Sequence, residues 1–297
     1  MSSTTALLGG MIDYAGLFPP ASLDMPTAMG NYAEYLAGPD VCVLGRFVVP
    51  ASRLHELSAQ PLPGEPLPAH AWRISVIADD GLAEVKESSL EFNCMHWDKS
   101  QLGHAIIDSV EIVVSSSTEV LAAAEIFQNG FTLFLEVPSI EDRDVVIASM
   151  ARTRAAAKIR TGGVVPAAIP SSADVCRFLA VCIKNGVSFK ATAGLHHAIR
   201  GDHPLTYRAD SPRGMMHGYV NVLTATALLC ARASPEAACA ALDETDPAAI
   251  SLAPGEAHWR DHSLDDQHLH RARQMMISFG SCSFREPVDE ARALGIL

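Results

Sequence analysis

The sequence predicts one domain with the (β/α)8 barrel (TIM barrel) fold, carrying an insertion between its seventh and eighth strands. Eight short apolar runs recur along the 297 residues, and most of them are followed by a segment with helical periodicity. The run VCVLGRFVV (41–49) is apolar almost throughout, which is typical of a parallel strand covered on both faces. The chain contains neither G-x-G-x-x-G nor G-x-x-x-x-G-K-S/T, the phosphate-binding motifs of nucleotide-binding folds.

The first half of the chain supplies five strands. The first lies in ALLGGMIDYAGL and ends at about Leu17, before Phe18-Pro19-Pro20. Asp24 and Pro26 begin a helix, and a Pro-rich surface loop (61–68) precedes the third strand. Strands two to five are predicted at 41–49, 72–78, 104–115 and 131–137, with a helix over 118–129.

The second half supplies strands six to eight and the insertion. AAAKI (155–159) is the sixth strand, and Ser171 or Ser172 caps a helix that ends near Asn185-Gly186. VSFKAT (187–192) is the seventh strand, MMISFGS (275–281) the eighth, and 284–294 a closing helix. Residues 198–272 form an insertion or lid with a loop (200–213), an apolar helix (215–232), a second short helix and a His-rich stretch.

Composition restricts the class of partner. Lysine and arginine total 22 against 34 acidic residues, a net charge of −12 that disfavours nucleic acid and anionic membranes. Seven cysteines without a repeating spacing indicate free thiols, and neither a signal peptide nor a run of ~20 apolar residues is visible. We therefore expect a cytoplasmic protein that binds a small molecule and needs no cofactor. Self-association stays open, because the apolar helix is either an interface or core.

Two of the five lysines lie near the ends of neighbouring strands, where a barrel turns side chains inward. Lys158 and Lys190 belong to strands six and seven, so they are expected to face each other at similar height. A like charge and loss of water both lower a lysine pKa, and a neutral amine can form a Schiff base with a carbonyl. The alternative is structural: each lysine is bridged to a carboxylate.

Other polar side chains are placed to assist this chemistry. Glu111 is positioned to shuttle a proton, and Glu136 lies near the end of the fifth strand. Arg160 shares a strand face with Lys158. Arg46 either reaches an anionic substrate or pairs with a barrel carboxylate. Buried Asp13 either bonds the backbone across the barrel or lies beneath the active site. His196 and His217 are candidates for a lid contact or a hydrogen bond to the substrate.

Seven short segments, whose order along the chain is that of the family, resemble motifs of deoxyribose-phosphate aldolase, a class I aldolase. Two of them match the lysine motifs of that family: KIRTGG resembles K-S/T-x-T-G, and FKATAG resembles F-K-x-A/S-G-G. Further elements of the family are resembled by IDYAGL, VCVLGRFVVPASRL, VEIVV, FLEV and ISFGSCSF. The resemblance implies a lyase with Lys158 as the Schiff-base nucleophile, Lys190 as the cation that lowers its pKa, and Glu111 in place of the family's catalytic aspartate. It further implies a phosphate loop formed by Gly280, Ser281, Cys282 and Ser283.

The sequence departs from that family at several of these positions. Glu111 is one methylene longer than aspartate, and Arg160 replaces a small polar residue beside the nucleophile. Glu286, Asp289 and Glu290 place negative charge on the first turns of the last helix, which weakens the case for phosphate.

Two other functional hypotheses stay open. One is a metal-assisted barrel enzyme acting on a carboxylate, with ligands among His196, His197, His203 and His217 together with Asp202 or Glu136. The other is a non-catalytic barrel that binds a small metabolite or a protein partner through residues 198–272.

Overall fold

The computed structural model describes residues 7–59, 61–63, 71–97, 103–128, 130–138, 141–253, 255 and 257–297. Within these residues, eight parallel strands close into a barrel with helices outside, which confirms the predicted (β/α)8 fold. Most of the Pro-rich loop predicted over 61–68 lies outside the described residues. The barrel strands are β1 (Ile12–Tyr14), β2 (Leu44–Pro50), β3 (Trp72–Ile77), β4 (Ala105–Val113), β5 (Thr132–Glu136), β6 (Ala156–Arg160), β7 (Phe189–Thr192) and β13 (Met276–Ser281).

Strand order follows chain order around the barrel, and β13 closes it between β7 and β1. The helices of the barrel layer and its connections are α1 (Met25–Ala37), α2 (Leu54–Leu57), α3 (Leu82–Met95), α4 (Ser117–Ile126), α5 (Arg143–Met150), α6 (Ser172–Asn185) and α10 (Arg285–Ala293). Because the strands are parallel, their carboxyl ends meet at one mouth of the barrel, where side chains from distant parts of the chain converge.

The helix boundaries follow the capping residues that the sequence displays. The Asp24 carboxylate accepts a hydrogen bond from the amide of Thr27 at the start of α1, at 2.9 Å. Ser171 caps α6 by accepting from the amide of Asp174 at 3.1 Å. Gly186 ends α6 in the left-handed region at φ +65°, where a side chain would be strained.

The region between β7 and β13 corrects part of the sequence prediction. The loop predicted over 200–213 contains strand β8 (Gly201–Pro204), which pairs with β9 (Arg213–Met216) as an antiparallel hairpin. The apolar helix α7 (Tyr219–Cys230) therefore begins later than predicted. The strands were missed because they are four residues long and each contains a glycine, which gives little alternating pattern.

The rest of this region contains α8 (Pro235–Asp243), a small sheet of β10 (Ile250–Ser251), β11 (His258–Trp259) and β12 (His262–Ser263), and α9 (Asp266–Met275). Helix α7 contacts α6, α8 and α9, and its residues from Tyr219 to Leu228 are buried. Of the two alternatives for the apolar helix, an interface or part of the core, the structure shows that α7 belongs to the core.

One described stretch, Pro166–Asn185, is long and apolar enough by length and composition to cross a bilayer, contrary to the sequence expectation. It combines a short 3-10 turn with α6, which packs against α5, α7 and α8 in the outer layer of the barrel. Its apolar face, formed by residues such as Phe178 and Leu179, is covered by the protein itself. All seven cysteines are described, and their thiols are free.

Candidate active site

A chain of alternating charges crosses the barrel interior near its carboxyl-terminal mouth. Glu136 of β5 is paired in register with Lys158 of β6, and Lys158 is paired with Lys190 of β7. The predicted juxtaposition of the two lysines is therefore found. The carboxylate of Glu111, from β4, lies between them, with one oxygen 2.7 Å from Lys158 Nζ and the other 2.7 Å from Lys190 Nζ.

Each lysine also contacts a second carboxylate. Lys158 Nζ lies 2.9 Å from Glu136, and Lys190 Nζ lies 2.5 Å from Asp13 on β1. Lys190 and Asp13 are fully buried, Glu111 is 1% exposed and Lys158 is 4% exposed. Charges in such a buried cluster are costly unless each is paired, and here each ammonium contacts two carboxylates.

The pairing changes the expected protonation of Lys158. Burial opposes its charge, but attraction to and hydrogen bonds with Glu111 and Glu136 outweigh burial and hold the pKa of Lys158 above its ordinary value. The sequence predicted a lowered pKa for Lys158, because the positive charge of Lys190 was expected to act on it without a carboxylate between the two lysines. Glu111 is strongly desolvated, yet the two ammonium groups hold its pKa well below its usual range. In this arrangement Lys158 is an ammonium ion.

Asp13 contacts both the backbone of a neighbouring strand and Lys190. One carboxylate oxygen accepts a hydrogen bond from the backbone amide of Arg46 at 2.7 Å, and the other accepts from Ser278 and Lys190. The side chain of Arg46 pairs with Asp108 at 2.5 Å, and it is not among the described residues that line the cavity at the barrel mouth. Of the two alternatives for Arg46, the structure favours the barrel carboxylate over contact with a substrate.

A cavity of about 210 Å³ opens above these charges. Lys158, Lys190 and Glu111 contribute to its lining, and Arg160 lines it from the end of β6, where this arginine is exposed. The remaining walls are mainly apolar. They include Phe18, Pro19 and Pro20 after β1, Val48 and Ile77 from β2 and β3, and Leu205 and Met216 from the β8–β9 hairpin. A few charged groups on an otherwise apolar lining are typical of a small-molecule site.

The loops that follow β6 and β7 meet at the rim of this cavity. A Cβ added at Gly194 would lie 3.0 Å from the Cα of Gly162, so the two backbones need glycine on both sides. Ala193 and Gly194 both have positive φ, +61° and +75°. The Thr161 hydroxyl donates to the Ala193 carbonyl at 2.7 Å and secures this turn. Left-handed backbone of this kind is concentrated at functional sites.

His196 lies in the loop after β7, lines the cavity and is buried. Its Nδ1 lies 3.1 Å from Ser281 Oγ and 3.6 Å from a carboxylate oxygen of Glu286. Burial, together with the nearby His197, lowers the pKa of His196 to about 4, so the ring is neutral near pH 7. A neutral imidazole that lines the cavity is able to exchange a hydrogen bond with a ligand, and the predicted contact of His196 with substrate stays a prediction.

In the predicted phosphate loop, the two serine hydroxyls make local hydrogen bonds. Gly280 and Cys282 line the cavity, whereas Ser281 and Ser283 are occupied locally: Ser281 Oγ accepts from the Ser283 amide at 3.3 Å, and Ser283 Oγ accepts from the Glu286 amide. The carboxylate of Glu286 lies 3.6 Å from Nδ1 of His196, which lines the cavity, and burial raises the pKa of Glu286. Burial also raises the pKa of the Cys282 thiol to about 11, so the thiol is a poor nucleophile.

His217 has a structural position. Its Nε2 donates to the Pro170 carbonyl at 2.9 Å, and Arg200 contacts its Nδ1 at 3.2 Å. His217 is fully buried and is not among the described residues that line the cavity. It thus ties the end of the hairpin to the loop after β6.

The histidines named as metal ligands are engaged in contacts with other side chains and with the backbone. His197 pairs with Glu290 at 2.7 Å and stacks on His203. His196 lies against Ser281, and His217 is bonded to the backbone after β6. In the part of the chain that the structure describes, no group of three or more His, Cys, Asp or Glu side chains is arranged to hold a metal ion.

Two contributors to the site escaped the sequence analysis. Ser75 of β3 donates to Glu111 at 2.7 Å and holds this carboxylate between the lysines. Tyr207, in the turn of the hairpin, donates to Glu286 at 3.3 Å and lies 3.5 Å from Cys282 Sγ. Ser75 could have been identified from the sequence, because it is a polar residue within an otherwise apolar strand. No comparable signal identifies Tyr207, because the hairpin itself was not predicted.

Comparison of the chain with protein-family models, curated proteins and solved structures found no match.

Proposed function

We propose that the protein is a cytoplasmic class I aldolase-like lyase that forms or cleaves a carbon–carbon bond through a Schiff base on Lys158. The observation that carries this proposal is the pair of lysines that share Glu111 and line the cavity at the barrel mouth. The resemblance of KIRTGG and FKATAG to deoxyribose-phosphate aldolase supports the same assignment from the sequence.

Of the two lysines, Lys158 is the better nucleophile by position. Lys190 is completely buried, is bound to Asp13 and Glu111, and lies 5.2 Å from the centre of the Phe134 ring. Lys158 retains some exposure and borders Glu136, whose side chain is 13% exposed and less tightly held. Lys190 therefore acts as a fixed positive charge, and Lys158 as the group that reacts.

The first step must remove a proton from Lys158. Two acceptors are in contact, Glu111 at 2.7 Å and Glu136 at 2.9 Å. A carbonyl substrate that displaces water makes the site drier, which favours a neutral amine beside a neutral carboxylic acid over the ion pair. Proton transfer along an existing hydrogen bond then yields the amine without any large movement.

The amine adds to the carbonyl carbon, and the carbonyl oxygen leaves as water. One proton of that water comes from the nitrogen and the other from the carboxylic acid, so an iminium ion forms with no net change in charge. In the cleavage direction, a carboxylate removes the proton of the β-hydroxyl group, the bond between the α and β carbons breaks, and its electron pair moves toward the iminium nitrogen. Protonation of the resulting enamine and addition of water release the second product.

A non-catalytic binding barrel is favoured by one observation, the raised pKa of Lys158. Fully paired lysines can hold a ligand through hydrogen bonds without reacting. The two functions differ in whether a covalent adduct forms at Lys158.

Trapping with cyanoborohydride and a panel of small aldehydes and ketones distinguishes them. We expect the intact mass to rise by one reduced adduct, and peptide mapping to locate the adduct on Lys158. Lys158→Met should abolish the adduct, whereas Lys184→Met, near the end of α6, should leave it unchanged. Absence of any adduct on Lys158 across the panel, with the protein folded, would exclude the lyase.

A further inference from the structure

Arg160 is the cationic residue in the cavity lining that remains available to a ligand. Lys158 and Lys190 line the same cavity but are each bound to two carboxylates. Among the described residues, no carboxylate lies within ion-pair distance of Arg160, which is exposed at the end of β6. In a chain of net charge −12, this guanidinium is a local positive charge at the mouth of the site.

The geometry of a guanidinium suits a carboxylate, to which it donates two parallel hydrogen bonds. A phosphate is disfavoured because the Glu286 carboxylate, on the first turn of α10, lies 3.6 Å from His196 in the cavity lining. The single positive charge of Arg160 also balances the one negative charge of a carboxylate better than the two negative charges of a phosphate. The anionic group that this mouth accepts is therefore a monoanionic carboxylate.

The spacing between Arg160 and Lys158 limits where that carboxylate is attached. The two residues are separated by two positions on β6, a rise of about 6.6 Å, and both line the cavity. Two side chains this close along one strand can contact adjacent groups of a short substrate. The smallest compound that offers a carbonyl carbon to Lys158 and a carboxylate to Arg160 is one in which those two carbons are bonded directly.

We propose that the substrate is a 2-oxo acid, whose carbonyl carbon reacts with Lys158 and whose carboxylate is bound by Arg160. This inference rests on the proposed lyase function. The carbon chain beyond the carbonyl group lies against Leu205, Met216 and Phe18, where a second charge would be poorly solvated. The substrate class is accordingly a monocarboxylic, unphosphorylated 2-oxo acid.

Pyruvate and methyl pyruvate test the carboxylate directly, because they share the carbonyl group and differ in charge. The concentration that gives half-maximal cyanoborohydride trapping on Lys158 is measured for each probe in the wild type and in Arg160→Gln. We expect the substitution to raise this concentration about tenfold or more for pyruvate and less than about twofold for methyl pyruvate. Arg177→Gln, on the outer surface of α6 and paired with Asp144, is the matched control and should change neither value.

The outcomes separate the two proposals. Equal effects of Arg160→Gln on both probes, or no effect on pyruvate, would overturn the carboxylate assignment while leaving the Schiff base intact. Oxamate, an unreactive isostere of pyruvate, provides a second readout by calorimetry. If no carbonyl compound labels Lys158 but oxamate binds the wild type and not Arg160→Gln, the carboxylate subsite stands and the lyase fails. If oxamate does not bind and pyruvate leaves no adduct, both fail.

Discussion

Replacing Glu111 by glutamine should make Lys158 more reactive toward reagents that need a neutral amine. The substitution keeps the shape of the side chain but removes the negative charge whose oxygen lies 2.7 Å from Lys158 Nζ. At a separation between charge centres of about 4 Å and an effective dielectric constant near 20, that charge contributes about 4 kcal/mol to the ammonium form. The ammonium of Lys190 would then face Lys158 without a carboxylate between them, which favours the neutral amine further.

An energy of this size corresponds to an increase of up to about a thousandfold in the neutral fraction of Lys158. Carbamylation by cyanate at pH 7 measures this fraction, because the reagent is small and attacks only the unprotonated amine. Peptide mass spectrometry reports the rate at Lys158 relative to that at Lys184, near the end of α6, which serves as an internal standard. We expect at least a tenfold rise in the relative rate, with lyase turnover reduced because the proton shuttle is lost.

Glu136→Gln provides the graded comparison. Glu136 is more exposed than Glu111 and contacts only one of the two lysines, so its removal should raise the relative rate less. Urea unfolding at pH 7 confirms that each variant is folded. If the relative rate in Glu111→Gln rises less than threefold or falls, Glu111 does not control the protonation of Lys158, and the attraction between these two groups is much weaker than their separation implies.

Three further predictions concern stability. Lys190→Met leaves Asp13 and Glu111 without the buried cation that they share, so it should lower the free energy of unfolding by about 3–5 kcal/mol in urea titrations. Arg177→Met removes one partner of a surface ion pair and should lower that free energy by about 1 kcal/mol or less. Equal losses in the two variants would show that the buried ion pairs of Lys190 do not stabilise the fold. Because the pKa of His196 is lowered to about 4 from 6.5, the unfolded chain binds a proton here that the folded chain does not, so stability falls as the pH drops below 6.5. His196→Gln should remove about 2 kcal/mol of the loss between pH 7 and pH 5, and an unchanged pH dependence would contradict the assignment. Gly194→Ala should destabilise the protein more than Gly186→Ala: both positions have positive φ, but only at Gly194 does the added Cβ meet the neighbouring backbone, at 3.0 Å. Thermal melts compare the two, and equal shifts would show that the contact with Gly162 is not limiting.

The sequence was most informative where a property depends on neighbouring residues. The apolar strand runs, the Asp24 cap, the cap at Ser171 or Ser172 and the Gly186 stop are local patterns, and all are found, with Ser171 as the cap. The first strand ends at Tyr14, earlier than the predicted end near Leu17. The facing lysines also follow from local information, because chain order in a barrel makes β6 and β7 neighbours. The hairpin of β8 and β9 could not be predicted from local patterns, because strands of four residues that contain glycine show little alternation of polar and apolar residues.

By itself, the sequence determined the barrel, the order of its strands and the presence of two inward-facing lysines, because strand periodicity and connection lengths are encoded in consecutive residues. Only the tertiary structure decided how Lys158 is protonated and which of Arg46 and Arg160 lacks an ion-pair partner among the described residues. Lys190 meets Asp13 across 177 positions of the chain and Glu111 across 79, and Arg46 is consumed by Asp108 while Arg160 is not. Electrostatic energy depends on distance in space and on exclusion of water, and both are set when the barrel closes.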